Sequence, residues 1–132
     1  MKRKPKPRRT KLRKELDRLW SLAIRKKYPS CVVCGSTIGL SAHHCIVRKA
    51  QSYGVRWLLN NGVALCNRCH LFKLHGQQGD KEFLDRYISV VNDLIPVEEQ
   101  ENVRDIGHRI AKYSLDDLED MVKELRTFTD DD

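Results

Sequence analysis

Nine side chains able to hold a metal or move a proton are crowded between residues 31 and 75: five cysteines and four of the five histidines. Cys31-x2-Cys34 and Cys66-x2-Cys69, with 31 residues between the pairs, have the spacing of a tetrahedral Zn(Cys)4 site. A redox dithiol would show a single such pair beside a βαβ pattern, and a disulfide frame belongs to secreted chains, so a closed structural zinc is the better reading. It also suits a central stretch with few large apolar side chains, because structural zinc contributes about 10–16 kcal/mol of apparent folding free energy. Cys45 is left over, and beside Ile46 it reads as a packing residue. Ala42-His43-His44-Cys45 lies between the pairs, and Cys69-His70-Leu71-Phe72-Lys73-Leu74-His75 continues the second. With the cysteines saturating one zinc, these imidazoles are available for a second metal or for acid–base work.

The charge distribution says what such a site would face. Residues 1–28 hold 13 Lys/Arg against Glu15 and Asp17, a balance of +11. Residues 29–79 carry Arg48, Lys49, Arg56, Arg68 and Lys73 and no carboxylate, +5, whereas residues 80–132 stand at −9. A basic first half is the electrostatic footprint of nucleic-acid binding, since each neutralised phosphate releases counterion. A 51-residue stretch without a carboxylate is what close approach of phosphate requires. No run nears the roughly 18 apolar residues of a membrane span, and the basic N-terminus lacks the apolar run of a signal peptide, so the expected location is the cytoplasm.

Several elements must position these residues. Residues 1–11, with Lys2, Arg3, Lys4, Lys6, Arg8 and Arg9 around two prolines, cannot bury apolar surface and are expected to be a disordered basic arm. Leu12, Leu16, Leu19, Trp20, Ala23 and Ile24 recur at helical spacing until Tyr28-Pro29, predicting an amphipathic basic helix over 12–28. Residues 29–79 form the metal-bearing core. Within it, a Cys-Val-Val-Cys-Gly knuckle and a hairpin near Ile38–Ile46 are expected, with a loop around Tyr53-Gly54. An Asn60-Asn61-Gly62 turn then enters Val63-Ala64-Leu65, and a helix starts near Cys66–Cys69 and runs toward His75-Gly76. Residues 80–132 read as helical: one helix over about 80–95 ending at Pro96, and another opened by a capping box at Ser114-Leu115-Asp116-Asp117, before an acidic tail. The fold class is α+β, with one domain and short appendages.

CxxC, then HH, then Asn61 five positions before the second CxxC, then His70 directly after it, resembles the HNH or ββα-metal nucleases over about residues 31–75. Within that superfamily the Cys-x-x-Cys-Gly, the spacing from Arg56 to Asn61 and Cys66, Lys73 and a helical C-terminal segment look closest to the phage NinG/Rap recombination nucleases. The resemblance implies a ββα-metal finger in which His43 and His70 ligate a catalytic divalent metal, Mg²⁺ or Mn²⁺. His44 would be the general base and Asn61 the residue that orients the loop and the base, with Cys31, Cys34, Cys66 and Cys69 holding structural zinc. Adjacent residues on a regular strand face opposite ways, so His43 and His44 share a site only where the strand bends or ends, and their two roles could be exchanged. His75, five residues after His70, lies about 140° around a regular helix and is a weak third ligand, a phosphate contact or a helix end.

The implied reaction is hydrolysis of DNA phosphodiesters in a bacterial or phage-infected cytoplasm. Arg48, Arg56, Lys73 and the basic arm are candidate phosphate contacts, and branched or recombination-intermediate DNA is the favoured substrate. The oligomeric state is left open, a homodimer included. The rival is a non-catalytic zinc module that binds nucleic acid, which has no reason to assemble His43, His44, Asn61 and His70. An adaptor docking a partner on its acidic helices would leave the same residues unexplained.

Overall fold

The computed structural model describes residues 7–49, 54–70, 81–109 and 112–130. It is α+β: helix α1 (Arg8–Lys27), strand β1 (Leu40–His44), a short 3-10 turn (Leu59–Asn61), strand β2 (Gly62–Cys66), then helices α2 (Lys81–Leu94), α3 (Val97–Arg109) and α4 (Leu115–Thr129). No helix among the described residues is long and apolar enough to cross a membrane.

The apolar stripe of α1, Leu16, Leu19, Trp20, Ala23 and Ile24, is buried against Leu118, Val122 and Leu125 of α4. The helix begins at Arg8, not at Leu12, which corrects the expected extent of the disordered arm. The reason is tertiary: Arg8 pairs with Glu119 and Arg9 donates to the Tyr113 carbonyl, so α4 and the segment before it supply acceptors that local composition does not reveal. At the other end, the Lys26 ammonium bonds to the Phe128 carbonyl and Asp130. Helix α4 opens with the expected capping box, Ser114 Oγ accepting from the Asp117 amide while Asp117 accepts from the Ser114 amide.

Strand β1 pairs antiparallel with β2, Leu40 opposite Cys66, Ala42 opposite Ala64 and His44 opposite Gly62. The expected hairpin near Ile38–Ile46 is therefore a single strand whose partner lies downstream, beyond the segment around Tyr53-Gly54. Ala42, Ala64 and Gly62 make one face small, and α1 packs there. A Cβ on Gly62 would stand 2.6 Å from both Trp20 Cζ2 and Ile24 Cδ1, so hydrogen at this position is what lets the helix approach. The opposite face carries Val63 and Leu65, which cluster with Phe83, Tyr87, Val91 and Ile95 from α2 and the residue after it. Residues 67–70 turn helically straight after β2, where the sequence predicts a helix start; its run toward His75-Gly76 lies outside the described residues.

Candidate metal centre and histidine cavity

Cys31 and Cys34 stand on the knuckle before β1, Cys66 is the last residue of β2, and Cys69 sits in the helical turn that follows. The knuckle closes because Gly35, at φ +80°, donates its amide to the Cys31 carbonyl, while the Cys31 amide bonds to the Ser36 carbonyl. The Val32 amide reaches the Ala64 carbonyl and pins the knuckle to β2. The four sulfurs lie within 4.8 Å of one another. A tetrahedron of Zn–S bonds of about 2.3 Å has S···S edges of about 3.8 Å, so the cage is of the right size for a metal such as zinc.

Thiol electrostatics agree with this. Burial pushes Cys31 up, yet hydrogen bonds from backbone amides, with Cys34 and Cys66 first, outweigh it and bring the thiol down to about 7. Cys69 is driven the other way, by burial first and then by its sulfur neighbours. Four thiols in one small space cannot all ionise without a cation between them. Among the described residues this is the one cluster of three or more close ligand atoms. Cys45 stands apart, partly buried against the α2 cluster, its thiol pushed up to about 12 by burial.

His43 and His44 stand at the other end of the strand pair, opposite Val63 and Gly62. Strand alternation sends His44 to the α1 face and His43 to the α2 face. Because β1 ends at His44, both nevertheless line one cavity of about 600 Å³, together with His70, Tyr87, Arg48 and Lys49. The His43 and His70 rings meet edge-on with centroids 5.0 Å apart, and the Tyr87 ring lies 5.9 Å from His43. His44 lies flat on Trp20, centroids 4.0 Å apart and planes 12° from parallel, and its Nε2 is 2.8 Å from the Arg56 carbonyl oxygen. A carbonyl only accepts, so Nε2 carries the proton and Nδ1 is the unprotonated nitrogen. Burial holds the His44 imidazole below its usual range; the Arg56 carbonyl opposes this, while the charges of Lys49 and Arg56 reinforce it. The ring is neutral near pH 7.

Asn61 is fully buried, and its amide is saturated. Oδ1 accepts from the Ile46 and Val47 amides at 3.0 and 2.8 Å, and Nδ2 donates to the Val47 and Val55 carbonyls at 2.9 and 3.1 Å. It thereby ties the chain leaving β1 to the segment that precedes β2. Its contact with His44 is indirect, through this loop framework.

Arg56 corrects an expectation. Instead of offering a phosphate contact, its guanidinium grips Asp17 on α1 through Nε and Nη2, at 2.9 and 2.6 Å, and its side chain is only 14% exposed. The same carboxylate accepts from Trp57 Nε1 at 2.8 Å. Arg8 and Arg9 are likewise engaged by Glu119 and the Tyr113 carbonyl. Arg48 does line the cavity. The expected sites Lys2, Arg3, Lys4, Lys6, Lys73 and His75 lie outside the described residues. Periodicity alone places Trp20 and Tyr87 in a core and leaves Asp17 as a stray charge on a basic helix; the one signal for Asp17 is that it stands in the same turn as Trp20, on the way to the apolar stripe. The outer face of α1 carries exposed Lys11, Lys14, Arg18 and Arg25, a basic ridge opposite its buried stripe, with Arg18 bonded to Glu15.

Comparison with protein-family models, with curated proteins and with solved structures returned no match.

Proposed function

We propose that the chain is a metal-dependent endonuclease of the HNH kind that hydrolyses DNA phosphodiesters, with structural zinc on Cys31, Cys34, Cys66 and Cys69. The observation that carries this reading is the cavity: His43, His44 and His70 converge on a space that Arg48 and Lys49 make positive and into which no described carboxylate projects. A phosphodiester is itself an anion, so a hydrolytic site must neutralise charge and supply a deprotonated water.

Each residue has a task. His44, held as the Nε2–H tautomer, presents Nδ1 as the base that takes a proton from water, an effect worth roughly 10²–10⁴-fold. His43 and His70 would hold a divalent ion, which supplies charge neutralisation at the scissile phosphate. Mg²⁺ and Mn²⁺ both favour oxygen donors, so on two imidazoles either ion would complete its shell with water and phosphate oxygens. Arg48 and Lys49 hold non-bridging phosphate oxygens, and the α1 ridge gives a second run of phosphates a place to lie. Branched or recombination-intermediate DNA is the proposed substrate.

The test is cleavage of linear, nicked and four-way DNA by the full chain with Mn²⁺, Mg²⁺ or EDTA. EDTA-sensitive cutting is expected, with His44→Ala folded and DNA-binding but slowed by roughly 10²–10⁴-fold and recovering as rising hydroxide substitutes for the base. His43→Ala and His70→Ala should need more metal. A wild-type rate from all three variants refutes the site. The second reading, a zinc module that only binds nucleic acid, is favoured by the four cysteines being the one cluster of three or more ligands among the described residues. It predicts binding with no cleavage under any metal.

A further inference from the structure

We propose that α1 is a working part of the histidine site: Asp17 is a positioning residue that fixes the tautomer and setting of His44 through the Arg56–Trp57 segment. Asp17 accepts three hydrogen bonds from two consecutive residues, two from the Arg56 guanidinium and one from the Trp57 indole. Gripped at both side chains, the backbone there has little freedom, and it is the Arg56 carbonyl that takes the His44 Nε2 proton at 2.8 Å. Three residues further along α1, on the same side of the helix, Trp20 stacks on the His44 ring and anchors its own indole to the Leu58 carbonyl at 2.9 Å. One helical turn thus sets both the plane of the imidazole and the proton on it. Groups that orient a working histidine from behind commonly matter by about 10–100-fold when removed.

The structural claim stands without any assumption about catalysis; its effect on rate rests on the reading of His44 as general base. Long-range ¹⁵N–¹H spectra of the full-length, zinc-loaded protein report the His44 tautomer directly. Wild type should show the Nε2–H form. Asp17→Asn keeps an oxygen for the Trp57 indole and the Arg56 Nε but sets an amide donor against the Arg56 Nη2 donor, and Arg56→Met removes the guanidinium while keeping its stem. Both should give mixed or exchanging His44 tautomers, and cleavage should fall by roughly 10–100-fold. Because the two substitutions cut the same clamp, the double variant should be no worse than the poorer single one. A pure Nε2–H signal in both single variants overturns the proposal, as does a double variant whose losses multiply. Shifted tautomers in a protein that cuts no DNA would instead sustain the clamp and sink the nuclease reading.

Discussion

Asn61→Asp replaces one NH2 with an oxygen inside a saturated, fully buried ring of hydrogen bonds, with almost no change of volume. The new side chain still accepts from Ile46 and Val47, but where Nδ2 donated to the Val47 and Val55 carbonyls, at 2.9 and 3.1 Å, there is now an oxygen facing two oxygens. Each buried acceptor left unpaired costs about 1–3 kcal/mol, so the pair should cost about 3–5 kcal/mol, a large share of the 5–15 kcal/mol typical of a folded domain. The loss carries a pH signature. Burial and two carbonyl neighbours raise the folded-state pKa of the introduced carboxyl above its unfolded value. The protonated form can donate to one of the two carbonyls, so the deficit relative to wild type is smallest at low pH and grows as pH rises through the folded pKa. Urea denaturation of both proteins at pH 5 and pH 8 measures this. A deficit below about 1 kcal/mol, or one equal at the two pH values, would refute the bonding scheme assigned to Asn61.

Cys31→Ser and Cys69→Ser should each abolish bound zinc and the cooperative melt of the central unit, checked by elemental analysis and calorimetry; a zinc-free variant that melts like wild type would contradict the structural role. Gly62→Ala forces a methyl to within 2.6 Å of Trp20 and Ile24, and overpacking of this kind costs about 1–3 kcal/mol, so an unmoved urea midpoint would show that α1 does not sit so close. The Arg18 guanidinium holds the Glu15 carboxyl below its usual value, so that contribution is present above about pH 4.5 and lost as pH falls through the folded pKa. Glu15→Gln should accordingly show a shallower acid limb of melting temperature, and an identical limb counts against the pair. Lys11→Ala with Lys14→Ala should flatten the plot of log DNA affinity against log salt by roughly 0.9 for each phosphate no longer neutralised, whereas an unchanged slope would place DNA elsewhere.

The parts legible in the sequence are those written in local pattern. The paired cysteines, the α2 periodicity ending before Pro96 and the Ser114–Asp117 box are each specified by residues a few positions apart, and each is found in place. What escapes depends on partners distant in the chain. β1 cannot be told from half a hairpin until β2 is known to lie beside it. Arg8 and Arg9 look like solvated tail until Glu119 and the Tyr113 carbonyl are brought against them. Arg56 reads as a free cation because Asp17, 39 residues earlier, is invisible from its neighbourhood. Strand geometry alone poses the question of how His43 and His44 could share a site; its answer, a strand that stops at His44, requires the ladder's actual length.

That ladder is only five residues long, and two short strands alone pair weakly. Its cysteine end is fastened from several directions, by Cys66 closing β2, by the Val32–Ala64 bond and by the Asn67 amide on the Gly39 carbonyl. Sliding one strand by a single position would turn every side chain to the opposite face, putting His43 against Trp20 and His44 toward Tyr87. The two imidazoles would trade surroundings without any atom of either changing. A metal on the four thiolates would therefore act as an index pin: held at the far end of the ladder from His44, it would decide which of two identical rings meets Trp20 and which meets Tyr87.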